Sequence, residues 1–338
     1  MALSYQAKHR AKKWLKAGAV LLGAVLVFCA GRFIYLQRYL VYDADGVHLD
    51  YGGQPTYGAA EKDSKHDEEY ILRQEGTVSA LGGSRGKYKT FSGYYVTASQ
   101  LLDPAHHKEI LSAVDGANAV MLDMKTSVGK FLWDTSLPGT QTANTDTEAV
   151  KALVKELAGR GGVTLTARIP AFRDSAKALE LRNQALPIKG GALWLDENGS
   201  YWLDPAGNDV ADYLIAQARE LEALGFDEIV FTDFHFPTSS NIRYGDKDGI
   251  GGVRDCAKAI KARLDVLEIP MSFLSNDDEI TALSHRFYTV AENGNQVKPL
   301  ATKFADLTKG EDGQLVFLTG SRDTRFNAYS KLQPIELD

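Results

Sequence analysis

The residues able to do chemistry in this 338-residue chain close short apolar runs: Tyr95 and Thr97, Asp123 and Lys125, Arg168, Asp233 and His235, Ser275 and Asn276, and Glu292. Two acids with a basic residue nearby are the equipment for cleaving a glycosidic bond. One carboxyl protonates the leaving oxygen, and the other acts as nucleophile or activates water. Asp123 and Asp233 are the candidate catalytic carboxylates, with Glu292 in reserve. Tyr95, Lys125, Arg168, Trp202, Asp204 and His235 are the candidate substrate-binding residues. A structural reading stands beside this one. Asp123 and Lys125 share a strand face and can pair with each other, and Arg168 can anchor an ion network as readily as it binds a carboxylate.

Other chemistries find less support. Asp233 and His235 lie two apart on one strand, but no third ligand stands at a matching spacing, so no metal is expected. Asp246-Lys247-Asp248-Gly249 is an incomplete calcium loop and reads as a solvated turn. No glycine-rich strand-turn-helix follows any predicted strand, which argues against a dinucleotide fold and calls for no cofactor. The two cysteines, Cys29 and Cys256, can build neither a disulfide scaffold nor a zinc site. Net charge is -6, yet the first sixteen residues hold five basic side chains and no acid, leaving 33 basic against 44 acidic residues in the rest. A body that acidic is a poor ligand for phosphate backbones, so nucleic acid is not an expected partner.

The elements that position these residues begin near Phe91. Strands are expected at Gly93–Thr97, Ala119–Met124, Val163–Ile169, Ile229–Phe236, Met271–Leu274, Phe287–Ala291 and Leu315–Thr319, with an eighth in the last dozen residues. Helices are expected from Asp103-Pro104, over Thr145–Ala158, near Ser175–Gln184 and over Asn208–Leu224. Strands alternating with helices over residues 91–338 predict a (β/α)8 TIM-like barrel, in which chemistry collects at the C-terminal ends of the strands. An insertion carries Asn198-Gly199 between apolar runs, a type I′ hairpin signal. That turn sets Trp202 opposite Leu195 and Trp194 opposite Leu203, so the indoles point to opposite faces and Trp202 shares one with Asp204.

Ahead of the barrel, residues 1–16 form a basic segment and 17–36 an apolar run interrupted only by Arg32. About twenty helical residues span ~30 Å, the hydrocarbon thickness of a bilayer. The basic cluster fixes the N-terminus in the cytoplasm and the barrel outside, giving a single-pass cell-membrane protein. Cys29-Ala30-Gly31 leaves a cleaved signal peptide as the competing reading. Residues 37–90, rich in Gly, Asp, Glu, Lys and Ser, read as a mostly flexible stalk.

The stretch from Ser92 to Pro237 resembles the bacterial family known as the putative glycosyl hydrolase domain. The matching pieces are Gly93-Tyr94-Tyr95-Val96-Thr97, the strand ending Leu122-Asp123-Met124-Lys125, Ala167-Arg168-Ile169 and Phe172-Arg173-Asp174. They continue through Ala192-Leu193-Trp194, Trp202-Leu203-Asp204-Pro205, Gly225-Phe226-Asp227-Glu228-Ile229 and Phe236-Pro237. The resemblance implies an amylase-like barrel, secreted or membrane-tethered, acting on cell-wall or other polysaccharide such as the peptidoglycan glycan. Two departures fall on acids: Thr232 stands where the family has Asp, and Thr126 where it often has another. His235 replaces the family's Arg. Asp233 can stand in for the lost carboxylate only where the strand end bends. A non-catalytic glycan-binding or wall-associated scaffold on the same fold is the alternative.

Overall fold

The computed structural model describes residues 40–43, 46–49, 88–245 and 247–337. The chain divides into two units, residues 1–63 and 64–338. In the first, Leu40–Asp43 and Gly46–Leu49 pair as an antiparallel hairpin inside the segment read as a stalk. The apolar run 17–36 lies outside the described residues, as does most of 37–90. Among the described residues no helix is long and apolar enough to cross a membrane.

The second unit holds an eight-stranded parallel sheet. Its strands are β1 (Ser92–Val96), β2 (Ala119–Asp123), β3 (Thr164–Pro170), β4 (Glu228–Thr232), β5 (Met271–Phe273), β6 (Phe287–Val290), β7 (Leu315–Leu318) and β8 (Ser330–Pro334). The ladder runs β6-β7-β8-β1-β2-β3-β4-β5. The two end strands then meet along a seam. His285 N–H donates to Met271 O at 2.8 Å. Phe273 N–H donates to Ser284 Oγ, and Arg286 N–H to Ser272 Oγ, each at 2.9 Å. Two serine hydroxyls thus complete a ring that backbone pairing alone leaves open, and the expected barrel architecture results.

The surrounding helices are α1 (Ala98–Leu102), α2 (His107–Ala113), α3 (Thr147–Ala158), α4 (Ser175–Glu180), α5 (Val210–Leu224), α6 (Gly249–Val266), α7 (Asp278–Thr281), α8 (Val297–Lys303) and α9 (Ala305–Thr308). Local chemistry sets their ends. Asp146 caps α3 by accepting from Ala149 N–H, and Val150, Leu153, Val154 and Leu157 form its buried stripe. Gly225 ends α5 at φ +108°, a left-handed C-cap that a side chain would strain. Between β7 and β8 the described chain forms a 3-10 turn, Thr324–Ala328, in place of an α-helix.

Met121, Val230, Tyr288, Val316 and Leu332 fill the barrel, while Val120, Leu122, Leu165, Ile229 and Phe231 face the helices. This alternation follows from the two-residue period of a strand, so Asp123, two residues beyond Met121, turns inward at the mouth.

The fourth strand is shorter than its apolar pattern predicts. It stops at Thr232 because Asp233 adopts φ +49°, a left-handed conformation that Asp tolerates better than most residues and that ends the pleat. The predicted helix at 175–184 likewise breaks at Leu181 into α4 and a 3-10 turn, Arg182–Gln184.

Close packing makes one glycine diagnostic. A Cβ on Gly93 would lie 1.8 Å from the backbone oxygen of Ala119 on β2. Gly93→Ala therefore has to spread β1 from β2, and chemical denaturation should show a loss of about 3 kcal/mol or more. A variant as stable as the parent would mean that the two strands do not approach this closely.

Candidate functional site at the barrel mouth

Asp123, the last residue of β2, is the register partner of Arg168, two residues before the end of β3. Arg168 donates through Nη2 to Asp123 Oδ2 at 2.7 Å and through Nε to Oδ1, a bidentate pair that occupies both carboxylate oxygens. The guanidinium carbon lies 5.6 Å from the centre of the Tyr95 ring, which supports it from β1. Both members of the pair are buried.

Asp233 occupies the bend after β4, beyond the pleat that ends at Thr232. It is only 5% exposed and makes no hydrogen bond or ion pair among the described residues. Burial raises its carboxyl above the usual range. Arg173, Arg168 and Lys125 pull it back down, whereas the nearby Asp196 pushes it further up. Arg168 is the group both acids share, bonded to Asp123 and within electrostatic reach of Asp233. Thr232, at the position of the missing acid, is half-buried, and its carbonyl accepts from Ala171 N–H.

Lys125 does not pair with Asp123. Its Nζ bonds Asp174 Oδ2 at 2.7 Å, Gln217 Oε1 at 3.0 Å and Pro170 O at 3.3 Å, between the barrel and α5. Neither Lys125 nor Asp174 has any side-chain exposure. Burial lowers the lysine's pKa, and Asp174 opposes that shift. Asp174 also accepts from Tyr213 OH at 2.6 Å and caps α4 through Lys177 N–H. The expected substrate-binding lysine is a framework residue. The strand ends at Asp123, so the two-residue period that would place both side chains on one face no longer applies.

The insertion hairpin is shifted by one residue from the register that Asn198-Gly199 suggests. Leu195 pairs with Tyr201, and Asp196 N–H donates to Ser200 O. The loop is Glu197-Asn198-Gly199, one residue longer than a type I′ turn, with Gly199 at φ +75°. Asp196 causes the change: its Oδ1 accepts from both Asn198 N–H and Ser200 N–H. A one-residue slip moves side chains to the opposite face. Trp194 and Trp202 consequently share a face, their rings 6.0 Å apart, and both are buried. Trp202 donates to Asp196 Oδ2 at 2.8 Å and lies edge-on to His235 at 5.1 Å. Burial lowers the His235 imidazole to about 4, so it is neutral at neutral pH.

Asp204 is also occupied. It accepts from Tyr244 OH at 2.5 Å and from Ala206 N–H at 3.0 Å, tying the loop after β4 to the insertion. Glu292 is exposed beyond β6, and its backbone N–H donates to Gln296 within its own loop. The described contacts do not bring it to the other carboxylates.

Two sets of polar residues escape a reading of strand ends. Arg173 and Asp196 pair at 3.0 Å beside Asp233; both lie outside strands, and only proximity in space joins them. At the opposite end of the barrel, Glu228 accepts from Ser272 Oγ at 2.5 Å and Tyr288 OH at 3.0 Å, with Arg286 at 3.6 Å. Glu228 opens an apolar strand, where an exposed residue is the ordinary expectation. No group of three or more His, Cys, Asp or Glu residues suited to a metal occurs among the described residues.

The sequence profile of the putative glycosyl hydrolase domain family matches residues 93–273. No curated protein sequence matches the chain. Among solved structures, α-L-fucosidase isoenzyme 2 from Paenibacillus thiaminolyticus is similar at 12% identity and TM-score 0.50, over 72% of this chain and 46% of that one. A hypothetical protein from Ruminiclostridium thermocellum matches at 21% identity and TM-score 0.45, over 53% of this chain and 96% of that one. The glycoside hydrolase domain of PelA from Pseudomonas aeruginosa matches at 12% and 0.45, over 72% and 94%. The fucosidase likeness supports the barrel fold alone, and this chain spans less than half of that protein.

The shared face of the two indoles leads to a stability prediction. Trp202→Ala and Trp194→Ala should each lower unfolding free energy by about 3–5 kcal/mol, as deletion of a buried indole does. Denaturant titration checks it, and an undiminished Trp202→Ala would return that ring to the ligand-facing role the sequence suggested.

Proposed function

Because the chain belongs to the putative glycosyl hydrolase domain family, we propose that the barrel mouth binds a polysaccharide, of the cell wall or another extracellular glycan, and cleaves it by carboxylate acid/base chemistry. The observation carrying this reading is that Asp123 is ion-paired to Arg168, while Asp233, within electrostatic reach of the same guanidinium, is buried without a partner among the described residues. Such a division separates acid from base in glycosidic cleavage. Asp233, whose carboxyl burial keeps protonated above the usual range, is the general acid. Asp123 is the nucleophile or base, oriented by Arg168. Glu292 remains the reserve carboxylate.

A second reading, a glycan-binding scaffold without turnover, rests on two observations. Both Asp123 oxygens are engaged by Arg168, and Thr232 stands where the family carries an acid.

The deciding experiment assays the protein against a glycan panel that includes peptidoglycan, reading reducing-end release and binding separately. Asp123→Asn and Asp233→Asn should each reduce turnover by several orders of magnitude while leaving binding detectable. In the parent, turnover should fall as pH rises through the elevated Asp233 value, because the acid form is then lost. Binding with no release at any pH would establish the scaffold reading, and turnover surviving both substitutions would move attention to Glu292.

The same proposal places the barrel outside the cell, with residues 17–36 as an uncleaved anchor and the N-terminus in the cytoplasm. Its support is the five basic residues ahead of the apolar run. Full-length protein should stay in the membrane pellet after alkaline carbonate washing. A mature form beginning near Arg32 in the medium would replace the anchor with a signal peptide.

A further inference from the structure

The C-terminal end of α6 exposes apolar surface that its own cap does not require. Ile269 N–H donates to Leu264 O at 3.0 Å and Glu268 N–H to Asp265 O at 3.1 Å, with Glu268 left-handed at φ +57°. The apolar pair that accompanies such a cap, Leu264 and Ile269, is buried. Val266 and Leu267, between them in sequence, are instead 82% and 44% exposed. Leu267 also forms one wall of a cleft of about 500 Å³, whose other walls include Leu137, Ala216 and Ala223. A projecting apolar corner and an apolar hollow therefore lie side by side on one face.

Two charges at the same cleft are uncommitted. Arg219 and Glu222, both exposed on α5, make no side-chain hydrogen bond or ion pair among the described residues, although at i, i+3 they could reach each other. Glu220, a third charge at the cleft, is fully engaged. Its carboxylate accepts from Trp133 Nε1 at 2.9 Å, from Ser136 N–H at 3.0 Å and from Ser136 Oγ at 2.8 Å. A free cation and a free acid one helical turn apart, beside a corner and a hollow, make this face complementary to a second copy of itself. In a two-fold contact residue i of one copy meets residue j of the other, and j meets i, so each feature finds its counterpart twice.

We propose that this face is the two-fold interface of a homodimer, in which the Val266–Leu267 corner of each copy fills the cleft of the other and Arg219 faces the partner's Glu222. The contact removes from water the apolar residues that the α6 cap leaves outside, and the paired charges set its register. It lies where α5 and α6 finish and β4 and β5 begin, toward the end of the barrel opposite the mouth. Both mouths of the dimer therefore stay open.

The test is the mass of the full chain in mild detergent, followed by light scattering over a concentration series. The parent should reach twice the mass of one chain. Val266→Asp and Leu267→Asp put a charge into the partner's cleft and should leave monomer, with circular dichroism and melting unchanged because both positions are exposed. Arg219→Glu and Glu222→Arg should each raise the dimer dissociation constant about tenfold or more, since like charges then meet across the axis. Combining those two exchanges in one chain restores opposite charges and should bring the constant back toward that of the parent, an outcome that only pairing with an identical copy produces. A monomeric parent, a dimer that survives both aspartate substitutions, or a double exchange no tighter than the single ones would each overturn the proposal. No glycan enters the measurement, so it stands or falls apart from the assignment of an activity.

Discussion

The mouth is built on an ion pair with no access to water. Lys125 and Asp174 meet at 2.7 Å between barrel and helices, with Gln217 and Tyr213 of α5 completing the coordination. A buried pair of this kind adds little net stability over an apolar replacement, but losing one partner costs about 3–5 kcal/mol because the other charge is stranded. Its value here lies in geometry. It joins the end of β2 to the chain beyond β3, and Asp174 at the same time caps α4. Arg173, the residue before Asp174, is held at the mouth by that fastening.

The remaining charges follow from this arrangement. Three cations near the mouth each have a carboxylate partner: Lys125 with Asp174, Arg168 with Asp123, and Arg173 with Asp196. Asp233 is a fourth acid in the same neighbourhood. Burial and the absence of an ion pair among the described residues favour its neutral form, so the asymmetry between two otherwise similar aspartates arises from their surroundings. The left-handed backbone at Asp233 contributes too, since an ordinary continuation of β4 would alternate its side chain to the face opposite Thr232.

Much of the architecture is legible in the sequence because strand cores are apolar runs bounded by polar residues, and β1 to β7 overlap such runs, whereas β8 holds Leu332 alone between Lys331 and Gln333. Asp123, Arg168 and Tyr95 fall at the mouth for the same reason: they close strands or lie within two residues of the end. What escapes is set by contacts distant in sequence. The alternation 229–236 continues past Thr232, and nothing local marks Asp233 as left-handed. Asn198-Gly199 predicts a two-residue loop, but the Asp196 carboxylate captures two backbone donors and lengthens it. Lys125 looks like a mouth residue until Asp174, forty-nine positions along the chain, supplies its counter-charge. The Glu228–Ser272–Tyr288 cluster likewise joins three strands.

The seam between β5 and β6 gives the ring a preferred place to come apart. Other neighbouring strands share backbone ladders, whereas here the described contacts are a main-chain bond and two serine hydroxyls. Side-chain bonds of this kind exchange partners with water more easily than a ladder does, and local opening concentrates where such protection is thin. The acid-bearing strand β4 lies one strand from that junction, whereas β3 and β2, which carry Arg168 and Asp123, lie two and three strands from it. A fluctuation that parts the ring therefore disturbs the support of Asp233 before it reaches the Asp123–Arg168 pair, so the two halves of the mouth differ in persistence as well as in charge.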